Sequence, residues 1–156
     1  MTEKNSIRIN RNNKNIYEIE VNDKGETIIF DLEDVNLTAK LIDMYTGIQE
    51  IERKFNQEKD ELEKREYDET DSFIPQRAID ENKLIQKFFA DSRACADLFL
   101  GTGACQKIFG DKNYIEMFTD LFNQLEPHFK KMGLSMQKLK KDLVKKYQPN
   151  NRKVLK

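Results

Sequence analysis

The chain has 156 residues, enough for one domain with a real core, and its 28 acidic and 27 basic side chains leave a net charge of −1. Its 38% hydrophobic content beside 35% charged favours solvated amphipathic helices over a thick globule, with ten phenylalanines and no tryptophan as bulky anchors. No apolar run approaches the ~20 residues of a membrane span, and the polar opening MTEKNSIRINRNNKN lacks the apolar core of a signal peptide. Two cysteines, Cys95 and Cys105, do not make a disulfide framework, so a reduced, cytoplasmic protein is expected. The charge is unevenly spread: residues 130–156 hold ten Lys or Arg against Asp142, so that end carries +9 and the remainder −10.

The first elements read as β structure. Ile7 and Ile9 alternate with polar neighbours, Tyr17, Ile19 and Val21 alternate with Ile16, Glu18 and Glu20, and Thr27, Ile28, Ile29 and Phe30 form a third run. RNNKN (11–15) and NDKG (22–25) supply the turns. Residues 1–33 are therefore expected to form a small three-stranded antiparallel meander whose apolar face needs cover.

Asp34 or Asn36 can cap the next element. Leu41, Ile48, Phe55 and Leu62 fall seven apart, with Met44 and Ile51 at the complementary positions. That spacing predicts a helix of about seven turns with one narrow apolar stripe. Beyond Phe55 the run QEKDELEKREYDETD (57–71) is nearly all charged, so the distal half is expected to project and fray. After a break at Pro75, a second helix from Ala78 to Leu100 carries Ile85, Phe88, Phe89, Ser92, Cys95, Ala96 and Phe99 on one face, closing a helical hairpin with an acidic tip.

DLFLGTGACQKIFGD (97–111) then reads as a joint in which Gly101, Gly103 and Gly110 end one helix, turn the chain and end a short helical turn. Asp111 can cap a third helix carrying Tyr114, Met117, Phe118, Leu121, Phe122 and Leu125, with Pro127 interrupting it. A last helical stretch through Met132, Met136, Leu139, Leu143 and Tyr147 stops before Pro149, leaving 149–156 as a flexible basic tail. The expected fold class is α+β, mostly α: an N-terminal antiparallel β-meander, a long helical hairpin and a C-terminal helical bundle. The meander (1–33) packs on the helical domain (34–148) as one fold unit.

No constellation of chemistry stands out. GTG at 101–103 follows a helix rather than a strand and lacks the third glycine and the βαβ unit of a phosphate-binding loop. His128, the sole histidine, has only Glu126 nearby, and Cys95 and Cys105 do not have zinc-finger spacing. The acidic run at 60–71 lacks the central glycine of a calcium loop. No catalytic residue, cofactor or metal is expected. Instead Phe99, Phe109, Tyr114, Phe118, Phe122, Met132 and Met136 are candidate protein-interaction residues, since aromatic-rich helices under thin polar cover leave apolar patches for a partner or a second copy. The basic C-terminal end suits phosphate neutralisation, but its lysines share a helix with Leu139, Leu143 and Val144 and no recognition motif accompanies them. Nucleic acid therefore ranks behind protein as a partner.

The strands ending in IIFDLED (28–34), the charged helix after them, and DLFLGTGACQKIFGD followed by a Phe-rich helix together resemble the tail-assembly chaperones of tailed phages and prophages of Gram-positive bacteria. Asp97, Leu98, Gly101, Gly103, Ile108, Phe109 and Gly110 fill the positions of that family's G-x-G joint and apolar-Phe-Gly turn. The resemblance implies a largely helical, non-enzymatic protein of the host cytoplasm that coats the tape-measure protein and brings tail-tube subunits to it. The opposite charges of the two ends make head-to-tail homo-oligomers reasonable. The rival expectations are a virion tail-completion or connector protein, and a small nucleic-acid-binding regulator using the basic tail.

Overall fold

The computed structural model describes residues 3–9, 15–68 and 73–134. Strand β1 (Ile16–Glu20) pairs antiparallel with β2 (Thr27–Asp31), Ile16 opposite Asp31 and Glu20 opposite Thr27. The NDKG turn is fastened by its own asparagine: Asn22 Oδ1 accepts from the Lys24 and Glu26 amides at 3.0 and 3.2 Å, and Gly25 takes φ +78°. Strict alternation turns Ile28 and Phe30 into the core while Ile29 stays outside. The expected third strand at Ile7 and Ile9 is not formed, and among the described residues the sheet has two strands.

Helix α1 (Leu37–Lys64) begins at Asn36 without a side-chain cap. Asp34 instead accepts from the Asn36 amide through Oδ1 and from Lys40 Nζ through Oδ2. Helix α2 (Gln76–Leu100) returns alongside it. The seven-residue stripe faces this partner, with Leu41, Met44 and Leu62 buried and Ile48, Ile51 and Phe55 half-buried. The distal half of α1 does not fray as expected, because its end is tied to α2. Arg77 donates to the Leu62 and Arg65 carbonyls at 3.2 and 3.0 Å, and the Tyr67 hydroxyl donates to Asp80 at 2.9 Å. The two Arg77 bonds engage carbonyls that a helix end otherwise leaves to water. On α2 it is Leu84, not Ile85, that is buried, so the apolar face is rotated by one residue from the expected one near the tip.

At Gly47 the two long helices approach so closely that a Cβ there would stand 2.5 Å from Cys95 Sγ. The Cys95 thiol donates to the Met44 carbonyl at 3.3 Å. After α2 come the short α3 (Ala104–Phe109) and α4 (Met117–Lys131). Asp111 does not cap α4, which starts at Met117; its carboxylate accepts from Gln106 Nε2 at 2.8 Å. Pro127 does not interrupt α4 either. The carbonyl deprived of its N–H belongs to Asn123, an exposed residue that solvent can reach. The helix ends at Gly133 (φ +81°), where the Gly133 amide donates to Lys130 O and the Leu134 amide to Phe129 O, the paired bonds of a Schellman cap. The helix expected beyond this point, and the basic tail, lie outside the described residues.

One core joins sheet and helices: Ile28 and Phe30 meet Leu41, Met44, Ala96, Phe99, Leu100, Cys105, Leu125 and Phe129. Phe99 sits at its centre, 5.1 Å from the Phe30 ring and 5.6 Å from Phe129.

Candidate interaction surface

The joint builds this surface. Gly101, Gly103 and Gly110 all have positive φ, at +110°, +77° and +65°, a region that side chains disfavour. Asp97, three residues from the end of α2, turns its carboxylate onto the Cys105 amide at 2.9 Å and so caps α3 across the glycines. Ala104 and Cys105 are pulled into the core, where burial, and then the Asp97 carboxylate, push the Cys105 thiol up to about 12. One turn further along the same side of α3, Ile108 and Phe109 are half-buried and pack against the core.

From Phe109 a row of rings runs across three helices. Tyr114 lies 6.4 Å from it on one side and Phe118 5.6 Å on the other, followed by Phe122 at 6.5 Å from Phe118 and Tyr45 of α1 at 5.3 Å from Phe122. The separations and tilted or edge-on contacts are those of favourable aromatic pairs. Burial, with a smaller contribution from Glu126, raises the Tyr45 phenol to about 12. Phe109, Phe118, Phe122 and Tyr45 are half-buried against the core, Tyr114 is exposed, and Ile115, next to it in the chain, is 89% exposed.

Arg93 holds the connection between α3 and α4. Its guanidinium donates to Asn113 Oδ1 and to the Lys112 carbonyl, both at 2.8 Å, and lies 5.7 Å from the centre of the Phe109 ring. Neither Arg93 nor Asp97 as a cap was apparent from spacing, because both act across a turn rather than along a helix. Tyr45 was missed because it lies off the apolar stripe of α1.

Of the candidate interaction residues, Phe109, Tyr114, Phe118 and Phe122 come together in this row. Phe99 does not: it is a core residue, packed between sheet and α4, with nothing to offer a partner. Met132 is half-buried at the end of α4, packed against the core, and Met136 lies outside the described residues. Tyr114 stands in the loop before α4 rather than on the helix. His128 is a structural link, its Nδ1 2.7 Å from the Tyr17 hydroxyl of β1. Among the described residues no three Asp, Glu, His or Cys side chains gather as a metal site, and no helix is long and apolar enough to cross a membrane.

The geometry thus defines a mostly helical α+β protein that displays an aromatic row on a glycine-punctuated joint. Residues 24–154 match the family model described as "Family of unknown function (DUF6673)", and the chain belongs to that family. No curated protein and no solved structure shows significant similarity to it.

Proposed function

We propose that the protein is a non-enzymatic tail-assembly chaperone of a tailed phage or prophage, acting in the bacterial cytoplasm on the tape-measure protein and tail-tube subunits. The observation that carries this reading is the partly exposed row Tyr114, Phe109, Phe118, Phe122 and Tyr45. A tape-measure protein is a long helical chain, and a row of rings supported from below suits the apolar face of an amphipathic helix. Rings already fixed in a core lose little further freedom on binding. The layout of IIFDLED, charged helix and DLFLGTGACQKIFGD supports the same reading by its resemblance to such chaperones.

Co-expression with a tape-measure protein and a tail-tube protein, followed by light scattering of the purified complex, tests it. The expected result is a soluble complex that Ile115→Asp weakens without changing the melting temperature, since Ile115 is nearly fully exposed. Failure to bind either tail protein refutes the reading. Retention of the protein in purified particles replaces it with a structural virion role.

A further inference from the structure

Among the described residues, one segment with a strand pattern is unpaired and one strand has an unpaired edge. The segment Ser6, Ile7, Arg8, Ile9 has the period-two pattern of a strand, yet it is unpaired among the described residues, with Ile7 91% and Ile9 83% exposed. Strand β1, in turn, has an edge that no strand pairs with among the described residues. The Val21 amide donates to Glu26 O and the Leu32 amide to Asn15 O, and the alternation of an antiparallel ladder then commits the backbone of Tyr17 and Ile19 to β2. The N–H and C=O groups of Ile16, Glu18 and Glu20 point the other way, to the side where the two-stranded sheet ends among the described residues. Such an edge is a template for another strand.

We propose that this edge takes residues 4–9 of a second copy as an added strand. Six extended residues span about 20 Å, the length of a strand such as β1. Period two places Ile7 and Ile9 on one face and Lys4, Ser6 and Arg8 on the other. The isoleucines then extend the half-buried side of β1 formed by Tyr17, Ile19 and Val21, while Lys4 and Arg8 meet the exposed Glu18 and Glu20. The wider charge pattern agrees. Residues 1–14 carry Lys4, Arg8, Arg11 and Lys14 against Glu3, whereas residues 15–34 carry seven carboxylates against Lys24. Each copy offers an arm and an edge, so the contact is heterologous and builds rings or open chains rather than a closed dimer. None of this depends on the chaperone reading, and its test needs no tail protein.

The test uses the full chain in two measurements. Sedimentation of the wild type across a dilution series should show self-association, weakened by salt, that Ile7→Asp with Ile9→Asp abolishes at an unchanged melting temperature. A mixture of Arg8→Cys and Glu18→Cys proteins, treated with a short bismaleimide, should yield a cross-linked mixed dimer. The native Cys95 and Cys105 are buried and stay out of the reaction. Cross-linking of the doubly substituted protein only within single copies would overturn the proposal in favour of a strand closed on its own sheet. A wild type that remains monomeric and gives no mixed dimer would overturn it too, and would leave the edge to a strand of some other protein.

Discussion

The close passage of α1 over α2 at Gly47 makes a test in which two effects of opposite sign compete. In an open helix, replacing Gly by Ala stabilises by about 1 kcal/mol, because glycine loses more backbone freedom on folding. At Gly47 the added Cβ would stand 2.5 Å from Cys95 Sγ, closer than nonbonded atoms come, so the helices must part or the thiol must turn. Overpacking of this kind costs roughly 1–3 kcal/mol. The thiol is also not free to turn without losing its bond to Met44 O, since that bond fixes its direction. Gly47→Ala in the wild type should therefore be neutral to about 2 kcal/mol destabilising, the difference of those two ranges.

Removing the thiol should reverse the sign. In a Cys95→Ala background the clash is gone, and Gly47→Ala should recover the full helix gain of about 1 kcal/mol. Urea unfolding of the four proteins closes a double-mutant cycle with an expected coupling of roughly 1–3 kcal/mol. Equal effects of Gly47→Ala in both backgrounds would refute the close approach of the two helices at this point.

Phe109→Ala should cost about 2 kcal/mol in urea, less than a fully buried phenylalanine does, because the ring is only partly buried. Asp97→Ala should lose about 0.5–2 kcal/mol, the range for a helix cap, and Asp97→Asn should retain part of it, as melting curves will show. Burial keeps the Cys105 thiol protonated up to about 12 in the folded chain, whereas in the unfolded chain it ionises nearer its ordinary value of 9.0. Stability is therefore intact below pH 9 and declines as pH rises through the interval to about 12, and thiol reagents at neutral pH should label Cys105 only at the rate of unfolding.

The sequence was most legible where a single chemical preference decides the local structure. The seven-residue stripe of α1 fixed its buried face, and the alternation in residues 16–30 fixed the sheet register, because both depend only on spacing. The glycines of the joint announced positive backbone angles for the same reason. Legibility failed where the deciding partner is remote in sequence. Charged residues 57–64 read as a loose end, yet Arg77 and Leu84 on the returning helix make them a packed one. Ile7 and Ile9 have the pattern of a strand, but a strand needs a neighbour, and among the described residues none pairs with them. Pro127 read as a stop, yet the cost of its missing N–H depends on whether the opposing carbonyl reaches water. Of the interaction surface, the individual aromatics were visible, but their order in space was not, since Tyr45 enters the row only through the fold.

The row is useful to a partner only if its open end is held still, and that task falls to Arg93. The connection from Gly110 to Glu116 contains no regular structure, and its residues 111–116 are exposed. Arg93 fastens it at three points: the Asn113 side chain, the Lys112 carbonyl and the face of Phe109. Exposed hydrogen bonds contribute about 0.5–1.5 kcal/mol each and an exposed cation–π contact about 0.5–1. Arg93→Ala should thus lower global stability by only about 1–2 kcal/mol once water replaces the lost partners. Its local effect should be larger. Amide exchange across 111–116 should accelerate strongly, while exchange in α2 and α4 follows the small global change, because the anchor is local. Arg93→Lys should not rescue it, since an ammonium cannot reach two acceptors from one planar fork while lying over a ring. Unchanged exchange in this segment would show that the loop is held by its own packing, and the row would then owe its order to α3 and α4 alone. If exchange accelerates as expected, the affinity of Arg93→Ala for the proposed helical client would measure how much of that proposed binding depends on an ordered Tyr114 and Ile115, because the variant removes their support without removing their apolar surface.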